Sequence, residues 1–95
     1  MANRSKDWSE EIAKKLKKKN YRQQFFLALI EEESCSLREA IQIIAKTMGN
    51  QEFSDLIEMA PSNTSRVTNP KNDIKATTLE HILKKLGCEL SVKAA

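Results

Sequence analysis

The stretch MAPSNTSRVTN, residues 59–69, gathers six hydrogen-bonding side chains within seven positions: Ser62, Asn63, Thr64, Ser65, Arg66 and Thr68. Such groups donate to or accept from base edges and phosphate oxygens, and an Arg among them suits guanine or phosphate. The stretch has one Pro, no Gly and little apolar content. Elsewhere reactive chemistry is sparse. Cys35 and Cys88 lie far apart, with no Cys-x-x-Cys pair and no clustered His. They read as reduced thiols rather than a disulfide or a metal site. His81 follows Glu80 without a metal-ligand partner and reads as a surface histidine. No Ser/His/Asp set, Gly-rich phosphate loop or isolated carboxylate pair stands out. Neither an enzyme nor a cofactor or metal site is expected.

The polar run needs a scaffold, and the periodicity of the chain supplies one. Pro61 suits the first turn of a helix, because its missing N–H is unneeded there. Pro70 disfavours helical geometry at Asn69, so a helix fits over about 61–68. Upstream, Asp7-Trp-Ser-Glu10 looks like a capping box, and Trp8, Ile12 and Leu16 repeat every four residues, a helix over about 8–18. Tyr21, Phe25, Ala28 and Leu29 share a face of a second helix, about 21–33. Ser36-Leu-Arg-Glu39 is a strong capping box ahead of an apolar stripe through Leu37, Ala40, Ile41, Ile44, Ala45 and Met48, stopped by Gly49. Asn50 is a candidate cap for a fourth helix that turns Phe53, Leu56 and Ile57 inward. Thr77-Thr-Leu-Glu80 is a third capping box, followed by Leu79, Ile82, Leu83 and Leu86 up to Gly87. Cys88, Leu90 and Val92 alternate with Glu89, Ser91 and Lys93, which predicts a short strand.

Ninety-five residues suffice for one small domain with a single core. Two Gly and two Pro argue against β-rich turns and long loops. The longest apolar run, Phe25 to Ile30, is far too short to span a bilayer. No basic-then-apolar signal segment opens the chain, so residence in the cytoplasm without membrane contact is expected. The net charge of +3 conceals blocks. Residues 1–22 carry eight basic and three acidic groups, residues 31–58 two and seven, residues 59–95 six and three. The two basic regions can meet a polyanion, while the bland reading of Lys14, Lys15, Lys17, Lys18 and Lys19 is a solvated helix face.

Two short helices joined by about three residues, the second polar outside, form a helix-turn-helix. Its second helix lies in the major groove, with side chains near its N-terminus on the base edges. The expected fold is therefore all-α, a small helical domain with a helix-turn-helix, which the resemblance described next makes Cro/repressor-like, and a short C-terminal β-strand. It divides into an N-terminal helical extension (1–35), a helix-turn-helix core (36–87) and the strand (88–92).

From about Tyr21 to Val92, roughly three quarters of the chain, the sequence resembles the HigA-like antidote proteins (antitoxins) of bacterial addiction modules. These belong to the Cro/repressor-type (Xre) helix-turn-helix family. The resemblance rests on FFLALIEEES, LREAIQIIAKTMG, QEFSDLIE, the Arg-bearing APSNTSRVTNP and, most specifically, TTLEHILKKLGCELSV. It implies a homodimer that binds double-stranded operator DNA and represses its own operon. It also implies neutralisation of a protein toxin, a ribosome-dependent mRNA endonuclease of the RelE/HigB type. Gln51, Pro61, Ser62, Asn63, Ser65, Arg66, Asn69 and Lys71 are the expected DNA contacts, and Cys88, Leu90 and Val92 the expected dimer strand. The acidic stretch Glu31 to Glu33 is either a toxin contact or a solvated helix end. Three positions depart from the family pattern. Glu58 stands where the turn usually has Gly, and must avoid positive φ or accept strain there. Thr64 replaces an apolar residue, and Ala60 replaces a capping Ser. A repressor-like regulator without a toxin, and a helical interaction module that does not bind DNA, are the alternative readings.

Overall fold

The computed structural model describes residues 10–89, and those residues form six helices with no strand among them. The helices are α1 (residues 10–15), α2 (Lys19–Glu31), α3 (Leu37–Met48), α4 (Asn50–Ile57), α5 (Pro61–Thr68) and α6 (Ala76–Leu86). The proposed Asp7 box and Trp8 lie outside the described residues, as do Leu90 and Val92 of the expected strand.

Several boundaries follow from caps visible in the sequence. Ser36 closes its capping box with Glu39: its hydroxyl accepts from the Glu39 N–H at 3.1 Å, and the Glu39 carboxylate accepts from the Ser36 N–H at 2.8 Å. Gly49, at φ 95°, ends α3, and Gly87, left-handed at φ 91°, ends α6. The helix over 61–68 stands between its two prolines as the spacing predicts.

Other expectations need correction. Asn50 is the first residue of α4 and not its cap; Gly49 serves as both the end of α3 and the entry to α4. Thr77 is likewise inside α6, whose N-cap is Lys75 with no side-chain cap, because the turn begins two residues earlier with Thr78 and Leu79 N–H donating to Lys75 O. The first helix ends near 15 rather than 18, and α2 starts at Lys19 rather than 21. Arg22 is the cause. It is 5% exposed, and its guanidinium donates to Leu16 O at 3.0 Å, Lys17 O at 3.3 Å and Leu86 O at 3.0 Å. One side chain thereby satisfies carbonyls left open where α1 stops and α6 ends. Burial lowers its pKa from the ordinary arginine value. Cys88, expected in a strand, has no regular structure; its N–H donates to Leu83 O at 2.8 Å and completes the C-terminal turn of α6.

The core unites all six helices. Leu16, Phe26, Ile41, Ile44, Phe53, Ile57, Val67, Ile82, Leu83 and Leu86 are buried together, with Leu56 and Leu79 half-buried at its edge. Each fully buried large side chain contributes about 1.5–3 kcal/mol from removal of apolar surface from water. α4 is seated on three sides, by α3, α5 and α6, so its neighbour α5 has a fixed platform.

Candidate nucleic-acid interface

α4 and α5 are joined by Glu58, Met59 and Ala60. What holds them together is partly polar. Ser54 and Thr64 have 1% and 0% exposure, and the Ser54 hydroxyl donates to Thr64 Oγ1 at 2.8 Å. Thr64 in turn donates to Ala60 O at 3.2 Å, so both hydroxyls are satisfied. A hydroxyl pair thus forms the contact between the two helices. Val67 is buried, and Thr68, also buried, donates back to Thr64 O at 2.8 Å. Asn50 Nδ2 reaches Pro61 O at 3.3 Å and pins the first turn of α5 to that of α4. Arg38, at the start of α3, donates to Val67 O at 3.0 Å and Asn69 O at 2.7 Å and holds the opposite end of α5.

With Thr64, Val67 and Thr68 inward, α5 turns its remaining side chains out. Pro61, Ser62, Asn63, Ser65 and Arg66 are all exposed, and so are Asn69 and Lys71 just beyond it and Gln51 on α4. All eight residues expected to contact DNA are accessible, seven of them on α5 or immediately after it. Gln51 stands apart and donates to Asp55 Oδ1 at 3.0 Å. The exit from α5 is ordered by side-chain to backbone bonds. Asn69 Oδ1 accepts from the Lys71 N–H at 3.0 Å, and Asn72 Nδ2 donates to Arg66 O at 3.1 Å.

A groove of about 540 Å³ runs between the end of α3, the start of α4 and the end of α5. Gln42, Lys46, Asn50, Ser65, Asn69 and Lys71 give it a polar, cationic wall. A Cβ on Gly49 would meet nothing within 4 Å, so the backbone is open there. Lys46 and Gln42 were missed by the sequence reading. They sit inside an amphipathic helical pattern, and only the folded arrangement brings them beside residues twenty positions away.

Glu58 does take positive φ, at φ 57° and ψ 53°, the left-handed conformation that a glycine would adopt more easily. Its carboxylate turns toward α6, where Lys85 Nζ lies 2.7 Å from Oε2. The Lys85 hydrogen bond and charge hold the Glu58 carboxyl below the usual glutamate range, with His81 adding in the same direction. His81 is exposed yet engaged: its Nε2 donates to Ile57 O at 2.8 Å, at the end of α4. The turn therefore carries a paired, not a bare, negative charge.

Cys35 and Cys88 are free thiols, half-buried, and burial pushes the Cys88 thiol pKa up despite the Arg22 charge nearby. Among the described residues no group of three His, Cys, Asp or Glu side chains is placed to hold a metal ion, and no helix is long and apolar enough to cross a membrane. No family model, curated protein or solved structure matches the chain.

Proposed function

We propose that this chain binds duplex DNA with α5 as the recognition helix of a helix-turn-helix formed by α4 and α5. One observation carries the reading. A single eight-residue helix buries Thr64, Val67 and Thr68 and presents Pro61, Ser62, Asn63, Ser65 and Arg66 to solvent. A helix fixed at both ends with a face of hydrogen-bonding groups suits the major groove. The first turn of α5 has no side-chain cap, which leaves its N–H groups free for a phosphate. Lys46 and Lys71 flank it with positive charge.

In this reading the protein is the antitoxin of a type II toxin–antitoxin module. It represses its own operon and neutralises a RelE/HigB-like mRNA-interferase, acting in the cytoplasm as a homodimer joined through residues 88–92. The resemblance of the motifs supports this finer assignment. The exposed Glu31, Glu32 and Glu33 at the end of α2 offer an acidic end to a basic ribonuclease.

A mobility-shift titration on the DNA upstream of the gene, at stated salt, tests the DNA-binding claim. Wild type should shift that DNA in preference to scrambled duplex. Arg66→Ala should bind more weakly by about 1–3 kcal/mol with its fold intact. Equal affinity and equal salt dependence for Arg66→Ala would remove Arg66 from the interface. A wild-type protein that shifts neither duplex would leave a helical interaction module. Co-expression with the product of an adjoining toxin-like reading frame separates an antitoxin, which restores growth, from a regulator without a toxin, which does not.

A further inference from the structure

Lys14, Lys15, Lys17, Lys18 and Lys19 span the end of α1 and the start of α2, and all five side chains are exposed. Three of them have intramolecular roles. Lys15 pairs with Glu11 at 3.6 Å and lies 5.9 Å from the Tyr21 ring centroid. Lys19 lays its stem across Gly87. Lys17 fixes the position of the run on the surface: its Nζ is 3.5 Å from Glu52 Oε2, in the first turn of α4. Among the described residues Lys14 and Lys18 have no ion pair.

The place matters more than the charge. α5 packs on the side of α4 that carries Asn50 and Ser54. Glu52 is two residues beyond Asn50, about 200° further round the helix, so it leaves α4 on the side away from α5. Lys17 therefore meets the N-terminal end of α4 on the side away from α5, and Lys14 and Lys18 add exposed positive charge three residues before it and one after it in the chain. Glu52 would repel a polyanion at this end, and Lys17 neutralises it. Basic groups consequently stand on both flanks of the N-terminal end of α4, Lys17 on one and Lys46 and Lys71 on the other.

We propose that Lys14 and Lys18, with Lys17 screening Glu52, form a second phosphate-contact surface that grips the DNA backbone beside the segment faced by α5. This rests on the DNA-binding reading above and adds a contact region outside the helix pair. It contributes affinity and salt dependence without sequence preference, since phosphates carry no direct base information.

The test compares wild type, Lys14→Gln/Lys18→Gln and Lys14→Arg/Lys18→Arg on a 40-base-pair duplex of the gene's own upstream DNA over a salt series. Each lost phosphate contact lowers the slope of log affinity against log salt by about 0.9, so the Gln variant should lose roughly two units of slope. The Arg variant should keep the wild-type slope. Trimming the duplex outside the protected segment should weaken wild type and leave the Gln variant nearly unaffected. Helical circular dichroism equal to wild type establishes that the variants are folded. If wild type shifts the duplex and the Gln variant matches its slope, the second surface is overturned while the recognition helix stands. If wild type shifts no duplex, both proposals fall together.

Discussion

Ser54 and Thr64 are two hydroxyls sealed from water between α4 and α5, and Ser54 depends on Thr64 for its acceptor. Thr64→Val keeps the volume but leaves Ser54 Oγ without its acceptor, which should cost about 1–3 kcal/mol. Ser54→Ala should cost less, because Thr64 still donates to Ala60 O. Replacing both should be milder than the two changes summed, since no orphan polar group remains. Denaturant titration of the four proteins measures this as a coupling of about 0.5–3 kcal/mol, and zero coupling would mean the pair is not energetically linked. Glu58 invites a second measurement. Its carboxyl titrates below the ordinary glutamate pKa of about 4.3, because Lys85 hydrogen-bonds and attracts the ionised form. The folded state therefore holds this proton less tightly than the unfolded state. The contribution is fully present above the ordinary value and is lost as pH falls through the depressed one. Wild type should lose stability on acidification through that window faster than Glu58→Gln, with the difference constant near neutrality. Glu58→Gly should be more stable than wild type despite losing the exposed pair, since relief of a left-handed backbone, about 1–2 kcal/mol, outweighs a surface ion pair.

At the scale of elements, the helices whose ends obey local rules were legible and those whose ends answer to distant groups were not. The Ser36–Glu39 box, Gly49, Gly87 and the Pro61–Pro70 bracket act within a few residues, and a sequence pattern records them. The break between α1 and α2 depends on a guanidinium that also bonds Leu86 O, sixty-four residues away, and no periodicity encodes that. Arg22 looked like one more charge in a basic block. Arg38 was equally silent, one polar residue inside a capping box, yet it tethers the last turn of α5. A hydrogen bond from a charged donor contributes about 1.5–3 kcal/mol where it is sheltered, as at Val67 O, and little at the exposed Asn69 O. Arg38→Met should therefore reduce stability by about 2 kcal/mol and speed amide exchange over residues 64–69 more than in α3. It should also weaken DNA binding beyond what the lost charge explains, so an unchanged affinity would show that α5 is held adequately without the tether. Val67→Asp is the contrasting case. A charge in that buried site has no partner, and the domain should unfold rather than bind more weakly.

At the scale of the molecule, the composition of the candidate site was legible because recognition requires exposed hydrogen-bonding groups between fixed helix ends, and both are local features. Its surroundings were not: Lys46, the open backbone at Gly49 and Lys17 beside Glu52 are brought to α4 only by the folding of α1 to α3 around it. Neither scale reveals how many chains act together. The Cys88 N–H is engaged with Leu83 O, so the proposed dimer would pair Leu90 to Val92 of one copy with the same segment of a second, because an extended edge needs a partner for its N–H and C=O groups. In the proposed dimer such pairing repeats α5 on one face. Two copies of α5 on one face of B-DNA must then read half-sites whose centres are about one turn, roughly 34 Å or 10–10.5 base pairs, apart. The expected result is a footprint with two-fold sequence symmetry and tight binding at that spacing. Inserting about five base pairs between the half-sites turns one of them to the opposite side of the duplex and should cut affinity to that of a single half-site. Inserting a full turn places the second half-site on the correct side but beyond the reach of a rigid dimer, and should not restore it. Sedimentation at tens of micromolar should show a dimer in the absence of DNA. A monomer whose affinity ignores the spacing would mean that each chain reads DNA alone.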